Sequence, residues 1–129
     1  MIHTSYYAKY KGNAGVCISR TYPKGFKGET CTALYPPKKL LEFYKAEEAK
    51  FDDIVKQHGV EAMIAYRNKI ERIYADYYKE AILNKIDLKN LGDKLQGKVL
   101  LCWEKSGRFC HRYLVAEALE KAGFKCSEL

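Results

Sequence analysis

One short stretch of the chain gathers the side chains best suited to chemistry. Within residues 102–112, two thiols, a carboxylate, an imidazole and one of the two guanidinium groups are the candidates, carried by Cys102, Glu104, Cys110, His111 and Arg112. Thiols serve as nucleophiles, while carboxyl and imidazole groups transfer protons. The residue types therefore predict a candidate catalytic set in which Cys110 or Cys102 is the nucleophile and Glu104 or His111 is the acid or base.

The elements around this stretch place it at the edge of a sheet. A nearly continuous apolar run predicts a buried strand over residues 98–103. Apolar residues at helical spacing predict a helix over 109–122 that stops at Gly123, and residues 124–129 predict a final strand. These three elements form a βαβ unit with parallel strands. Because ligands bind beyond the carboxyl ends of parallel strands, the cluster lies where a site is expected.

The start of this helix also predicts an anion site. A first helical turn carries unpaired N–H groups and partial positive charge, which attract anions and lower the pKa of a nearby thiol. His111 and Arg112 at that place need an anionic partner, which is either Glu104 or a ligand. The candidate ligand-binding residues combine basic and hydroxyl side chains from several segments: Arg112, Arg20, Lys105, Thr4, Ser5, Lys24 and Lys27.

A metal site is an alternative role for part of the same cluster. Cys102, Cys110 and His111 offer thiolate and imidazole groups, which are good zinc ligands. Their spacing, Cys-x7-Cys-His, differs from the Cys-x2-Cys pairs of structural zinc sites. The sequence therefore predicts neither a metal nor another cofactor, with zinc as the less favoured alternative.

Patterns in the rest of the chain predict a single α/β domain over residues 1–129. Short apolar runs predict strands at 2–4 and 15–20, and helical spacing predicts helices at 38–56, 60–83 and 88–95, the last capped by Asp87. Residues 21–37 carry glycine and proline and predict a long loop. The expected fold is a small, mostly parallel sheet of about four strands, flanked by helices in Rossmann-like layers. The short link between the first two strands leaves parallel and hairpin pairing open.

Composition limits the class of protein and its location. The chain has 129 residues, of which 47% are hydrophobic and 30% charged, as in an ordinary globular domain. No apolar run approaches the roughly 20 residues that cross a bilayer, so no membrane partner is expected. The five cysteines and the absence of a signal-peptide pattern predict a cytoplasmic protein whose cysteines are either core or reactive thiols. The net charge of +7 permits a polyanionic partner such as nucleic acid.

Six segments of the chain together resemble a known family. They are Leu100 to Lys105, Phe109 to Arg112, Leu114 to Glu117, Ile2 to Ala8, Ile18 to Arg20 and Pro23 to Gly28. They resemble the family catalogued as domain of unknown function 488, in which a strand ends in Cys-x-Glu-Lys and the next helix opens with Cys-His-Arg. The resemblance implies a small α/β protein. The chain departs from the family pattern at His3, at Trp103 and in the loop 106–108. Because the family has no established activity, the resemblance implies a motif without a substrate.

Together these patterns favour a ligand-binding or enzymatic domain that acts on an anionic small molecule, phosphate-bearing or nucleotide-like, at residues 102–112. Whether it is an enzyme stays open. One alternative is a nucleic-acid-binding domain that uses the basic surface and the loop Tyr22 to Lys27. Another is a structural or interaction protein, or a zinc site. The sequence has no Walker-type phosphate loop, no dinucleotide fingerprint and no serine nucleophile elbow.

Overall fold

Five short parallel strands form the central sheet of the computed structural model, which describes residues 1–129. The expected mostly parallel α/β fold is confirmed, with one strand more than the sequence predicts. The spatial order of the strands is β3-β2-β4-β1-β5. Their bounds are β1 (Ile2–Tyr6), β2 (Gly15–Cys17), β3 (Glu29–Thr30), β4 (Val99–Cys102) and β5 (Cys126–Glu128).

The strand order settles how the first two strands are related. β4 lies between β1 and β2 and pairs in parallel with both, so that Cys102 stands beside Tyr6 and Leu101 beside Cys17. The two strands therefore form neither a hairpin nor an adjacent parallel pair. The prediction that residues 21–37 are entirely loop is wrong, because β3 pairs with β2 inside that segment. β3 is exposed and two residues long, so no hydrophobic pattern marks it.

The chain forms five α-helices: α1 (Lys38–Glu48), α2 (Phe51–His58), α3 (Val60–Ala81), α4 (Leu88–Leu95) and α5 (His111–Lys121). The single helix predicted over 38–56 is wrong, since the helix is interrupted at residues 49–50 and α2 then packs on α3, where Phe51 contacts Tyr66. Asp87 caps α4 as expected, accepting a hydrogen bond from the backbone of Asn90 at 3.1 Å. None of the helices combines the length and apolar content that crossing a bilayer requires.

The core lies on both faces of the sheet, and its pattern sets the direction of Cys102. Leu100 packs in the main cluster with the buried residues of α3 and α5, whereas Val99 and Leu101 pack in a smaller cluster with Tyr7. Neighbouring residues of a strand point to opposite faces. Cys102 therefore shares the face of Leu100, where the N-terminus of α5 lies.

A hydrogen bond in the core gives the first testable prediction. Tyr78 is fully buried in α3, and its hydroxyl donates to the carbonyl of Leu34 at 2.6 Å. We expect Tyr78→Phe to lower the free energy of unfolding by about 1–2 kcal/mol, because a buried polar partner loses its hydrogen bond. Urea denaturation measures this change. The matched control is Tyr77→Phe on the exposed side of the same helix, and equal stability of the two variants would contradict the prediction.

Candidate functional site

Two cysteine sulfurs meet at the carboxyl edge of the sheet. Cys102 is the last residue of β4, and Cys110 is the N-cap of α5. The loop between them brings the two sulfur atoms together as a disulfide. The sequence did not predict this pairing, and the reactivity of the two sulfurs as thiols stays a prediction. Cys17, Cys31 and Cys126 remain free thiols.

A cavity of about 420 Å³ opens above this pair. It is bounded by the ends of β2 and β4, by α1, and by the start of α5. Cys102, Cys110 and His111 line its buried part, while the exposed lining includes both cationic and carboxylate groups. We call it the thiol cavity. Four predicted catalytic candidates, Cys102, Glu104, Cys110 and His111, and one predicted ligand contact, Arg20, all line it.

His111 is held as a neutral imidazole. Its Nε2 lies 2.7 Å from the carbonyl oxygen of Ile18, so Nε2 carries the proton that it donates. Burial lowers the pKa of His111 to about 4, and the charge of Arg112 acts in the same direction, although the bond to Ile18 opposes the shift. Nδ1 is then left as an acceptor, 3.8 Å from the sulfur of Cys110.

Arg112 is not available to a ligand. Its side chain is fully buried and pairs with Glu128, with Nη2–Oε2 at 2.8 Å and Nε–Oε1 at 3.1 Å. Nη1 also donates to the Glu104 carbonyl at 2.7 Å and to the sulfur of Cys102 at 2.9 Å, and Nη2 donates to the hydroxyl of Tyr113 at 3.0 Å. The prediction that Arg112 binds a ligand anion is corrected: its anionic partner is Glu128, rather than Glu104 or a ligand.

The other predicted ligand contacts lie outside the thiol cavity. Thr4 is buried and donates to Glu128, and Ser5 is fully buried without a partner for its hydroxyl. Lys105 is exposed and lines no cavity that contains the cysteines. Lys24 and Lys27 line a separate cavity of about 570 Å³ on the other face of the sheet. These five residues do not converge on the cysteine pair.

Glu104 keeps a position suited to proton transfer. Its side chain lines the thiol cavity, and its backbone carbonyl accepts from Arg112. Desolvation raises the pKa of the Glu104 carboxyl, although the positive charge of Arg112 opposes the shift. A carboxyl with a raised pKa is a better proton donor near neutral pH than an ordinary one.

Sequence reasoning missed Glu128, a carboxylate that positions other residues of the site through hydrogen bonds. Glu128 lies in β5 and accepts hydrogen bonds from Arg112, Thr4, Ser106 and Tyr113. These bonds tie the final strand to the loop that carries Glu104. Nothing in the sequence marks this carboxylate, because it sits in a short strand 16 residues from Arg112. The strand order is what makes them neighbours.

The hydrogen bonds to Glu128 predict how stability depends on pH. Burial by itself raises the pKa of Glu128, but hydrogen bonds from Arg112, Ser106 and Thr4 and the charge of Arg112 outweigh it and lower the pKa to about 2. Because folding lowers the pKa of Glu128, its ionised carboxylate stabilises the folded state at pH values above the unfolded pKa of 4.5. This stabilisation is lost as the pH falls toward 2. We expect this loss to be about 1–2 kcal/mol after solvent screening.

Chemical denaturation between pH 7 and pH 2 measures the effect in the wild type and in Glu128→Gln. The variant lacks this titration, so the difference in stability between the two proteins should shrink as the pH falls below 4.5. A constant difference across that range would show that Glu128 is not the titrating group.

The cluster also contains a candidate metal-ligand set. One ligand atom each from Cys102, Cys110 and His111 lies within 4.8 Å of the others. Nδ1 of His111 is free to ligate, since Nε2 is held by a carbonyl as in many metal sites. The set would hold zinc only with both sulfurs as thiolates, which the disulfide prevents. The guanidinium 2.9 Å from the Cys102 sulfur also repels a divalent cation.

The fold and the site define a class: a small parallel α/β protein with a paired-cysteine cavity at the carboxyl edge of its sheet. No family model, no curated protein and no solved structure matches the chain. The resemblance to the domain of unknown function 488 therefore stays a prediction, resting on the motifs quoted above.

Proposed function

We propose that the chain binds an anionic small molecule, phosphate-bearing or otherwise, in the thiol cavity and presents Cys110 to it as a reactive thiol. The observation that carries this proposal is the lining of the thiol cavity, which brings Cys110, the N-cap of α5, together with His111 and the cationic side chain of Arg20. A helix N-terminus attracts anions and favours the thiolate. We also propose a cytoplasmic location, where disulfides are usually transient or catalytic.

The backbone at this helix start supports an anion contact. The side chain of Cys110 does not cap the helix, and the N–H groups of His111 and Arg112 donate to no backbone carbonyl. Such N–H groups need partners from water, a side chain or a ligand. The helix N-terminus is therefore the expected place for the anionic group.

The charged groups around the cavity indicate where in it the ligand binds. Arg20 and Lys45 line the cavity, and Nε of Arg20 is anchored to the carbonyl of Pro36 at 2.6 Å. Two carboxylates, Glu48 and Glu104, line it as well. The cavity is therefore not uniformly positive, and we expect the anion between Arg20 and the start of α5 rather than beside the carboxylates.

A thermal-shift screen of the reduced protein tests this proposal. The probes are inorganic phosphate, sulfate, sugar phosphates, nucleotides and small carboxylates. A compound that binds the folded state raises the melting temperature by mass action. We expect at least one anion to stabilise the wild type and Lys105→Gln, a control outside the cavity, but to stabilise Arg20→Gln less. Absence of any shift, or an equal shift in Arg20→Gln, would reject the proposed site.

A second candidate function, nucleic-acid binding, is favoured by the cavity on the opposite face of the sheet. We call it the lysine cavity because Lys11, Lys24 and Lys27 line it and no carboxylate does. Its aromatic lining includes Phe26 and Trp103, which offer surfaces for base stacking. The basic and aromatic loop 22–27 thus lies apart from the cysteine pair.

Trp103 provides the probe for this second candidate; because it lines both cavities, the Lys24 and Lys27 variant is what assigns a signal to the lysine cavity. It is the only tryptophan of the chain and is half-exposed. Binding of a single-stranded oligonucleotide in the lysine cavity is expected to quench its fluorescence, with an affinity that falls steeply as salt rises. Lys24→Gln combined with Lys27→Gln should weaken binding. No quenching at low salt would remove this candidate.

A further inference from the structure

The paired cysteines point to a redox activity for the thiol cavity. We propose that Cys102 and Cys110 form a dithiol–disulfide couple that exchanges with the disulfide of a small anionic thiol bound in the cavity. This inference rests on the proposed function, because it uses the same cavity and names its substrate class. The starting observation is that these two sulfurs are joined, while the three other cysteines are free.

The position of the Arg112 guanidinium indicates the role of Cys102 in the couple. Nη1 of Arg112 lies 2.9 Å from the Cys102 sulfur, inside the fully buried pair with Glu128. Four further contacts, to Glu128, the Glu104 carbonyl and Tyr113, hold the guanidinium in place. The positive charge therefore stays beside the sulfur when the disulfide opens. A cation next to a thiol favours its thiolate, which makes Cys102 the stabilised internal sulfur.

Cys110 is placed to react with the substrate. It lines the thiol cavity at the N-cap of α5, and it is slightly more exposed than Cys102, at 6% against 1%. Nδ1 of His111, 3.8 Å from the Cys110 sulfur, is the acceptor toward which the thiol proton can point. The bond from Nε2 to the carbonyl of Ile18 keeps the imidazole in that orientation. Attack therefore begins at Cys110.

The exchange balances in two steps. The Cys110 thiolate attacks one sulfur of R–S–S–R, the substrate S–S bond breaks, and one RS⁻ leaves as the Cys110–S–S–R bond forms. The Cys102 thiolate then attacks the Cys110 sulfur, which forms the Cys102–Cys110 bond and expels the second RS⁻. Two electrons pass from the protein to the substrate, and the two protons of the protein thiols end on the two released thiols. An external dithiol then reduces the Cys102–Cys110 bond and regenerates the two protein thiols.

The experiment uses the reduced full chain with oxidised glutathione, a disulfide that carries carboxylates, followed by acid quench, intact-mass measurement and peptide mapping that assigns each adduct to its cysteine. We expect the wild type to lose two hydrogens with little adduct, and Cys102→Ser to accumulate one glutathione adduct on Cys110. Cys110→Ser should form an adduct at least about tenfold more slowly, since Cys102 is less accessible. Cys31→Ser, a cysteine outside the pair, is the control and should behave as the wild type.

The outcomes separate this inference from the proposed function. If the neutral bis(2-hydroxyethyl) disulfide oxidises the pair as fast as oxidised glutathione, the couple stands and its preference for anions fails. If neither disulfide oxidises the wild type, or if Cys102→Ser forms no adduct on Cys110, the inference is overturned, whatever the thermal-shift screen gives. Purified protein that carries one zinc ion and has unreactive thiols until a chelator is added would overturn it in favour of a metal site.

Discussion

Replacing Arg112 with alanine is expected to lower the free energy of unfolding by about 3–5 kcal/mol, because the change leaves a partly buried carboxylate without its partner. Glu128 would keep its place among Thr4, Ser106 and Tyr113 with no cation beside it. The carbonyl of Glu104 would also lose its donor. Urea denaturation at pH 7 measures the loss, which is a large fraction of the stability of an ordinary domain of this size.

Two further variants make the Arg112 prediction specific. Arg112→Lys keeps the charge but cannot reproduce the two parallel bonds to Glu128, so an intermediate loss is expected. Arg108→Ala removes an exposed arginine from the neighbouring loop and should change stability by no more than about 0.5 kcal/mol. A small effect of Arg112→Ala on stability, together with lost anion binding, would restore the ligand role that the sequence predicts.

Reducing the disulfide between Cys102 and Cys110 is expected to lower the free energy of unfolding by about 2–3 kcal/mol. The bond closes a loop across eight positions of the chain, and a loop of that length limits the entropy of the unfolded state by about this amount. Denaturation in oxidising and in reducing buffer measures the difference.

The cysteine variants show whether this difference belongs to the pair. The double variant Cys102→Ser, Cys110→Ser should have the same stability in both buffers, whereas Cys126→Ser should keep the difference seen in the wild type. Equal stability of the oxidised and reduced wild type would mean that the pair does not constrain the unfolded chain, and a difference in the double variant would locate the effect elsewhere.

The C-terminal part of the fold could be predicted from the sequence because its signals are local. The apolar run that ends at Cys102 marks a strand covered on both faces, and the helix after it stops at Gly123, whose φ of +102° suits glycine. The same local pattern places Cys110 and His111 at the start of a helix. The cap of α4, Asp87, could also be predicted because its signal is local.

The features that the sequence did not predict depend on long-range neighbours. Whether Arg112 meets Glu104, Glu128 or a ligand depends on which strand lies beside β1, and the strand order is not encoded in any one segment. The disulfide depends on the path of the loop 103–109, which its residue types alone do not determine. The edge strand β3 escapes pattern reasoning because an exposed pair of residues buries nothing.

The most direct test of a reactive thiol in an anion-binding cavity compares two alkylating agents on the reduced protein, the anionic iodoacetate and the neutral iodoacetamide. Peptide mass mapping gives the rate at Cys110, and a small free thiol gives the reference ratio. Electrostatic attraction raises the reaction rate of an anionic reagent by about tenfold or more, and this increase becomes smaller as the salt concentration rises. We predict a ratio of iodoacetate to iodoacetamide rates at Cys110 above the reference by at least about that factor, reduced in Arg20→Gln. A ratio equal to that of the free thiol at every salt concentration would contradict the account.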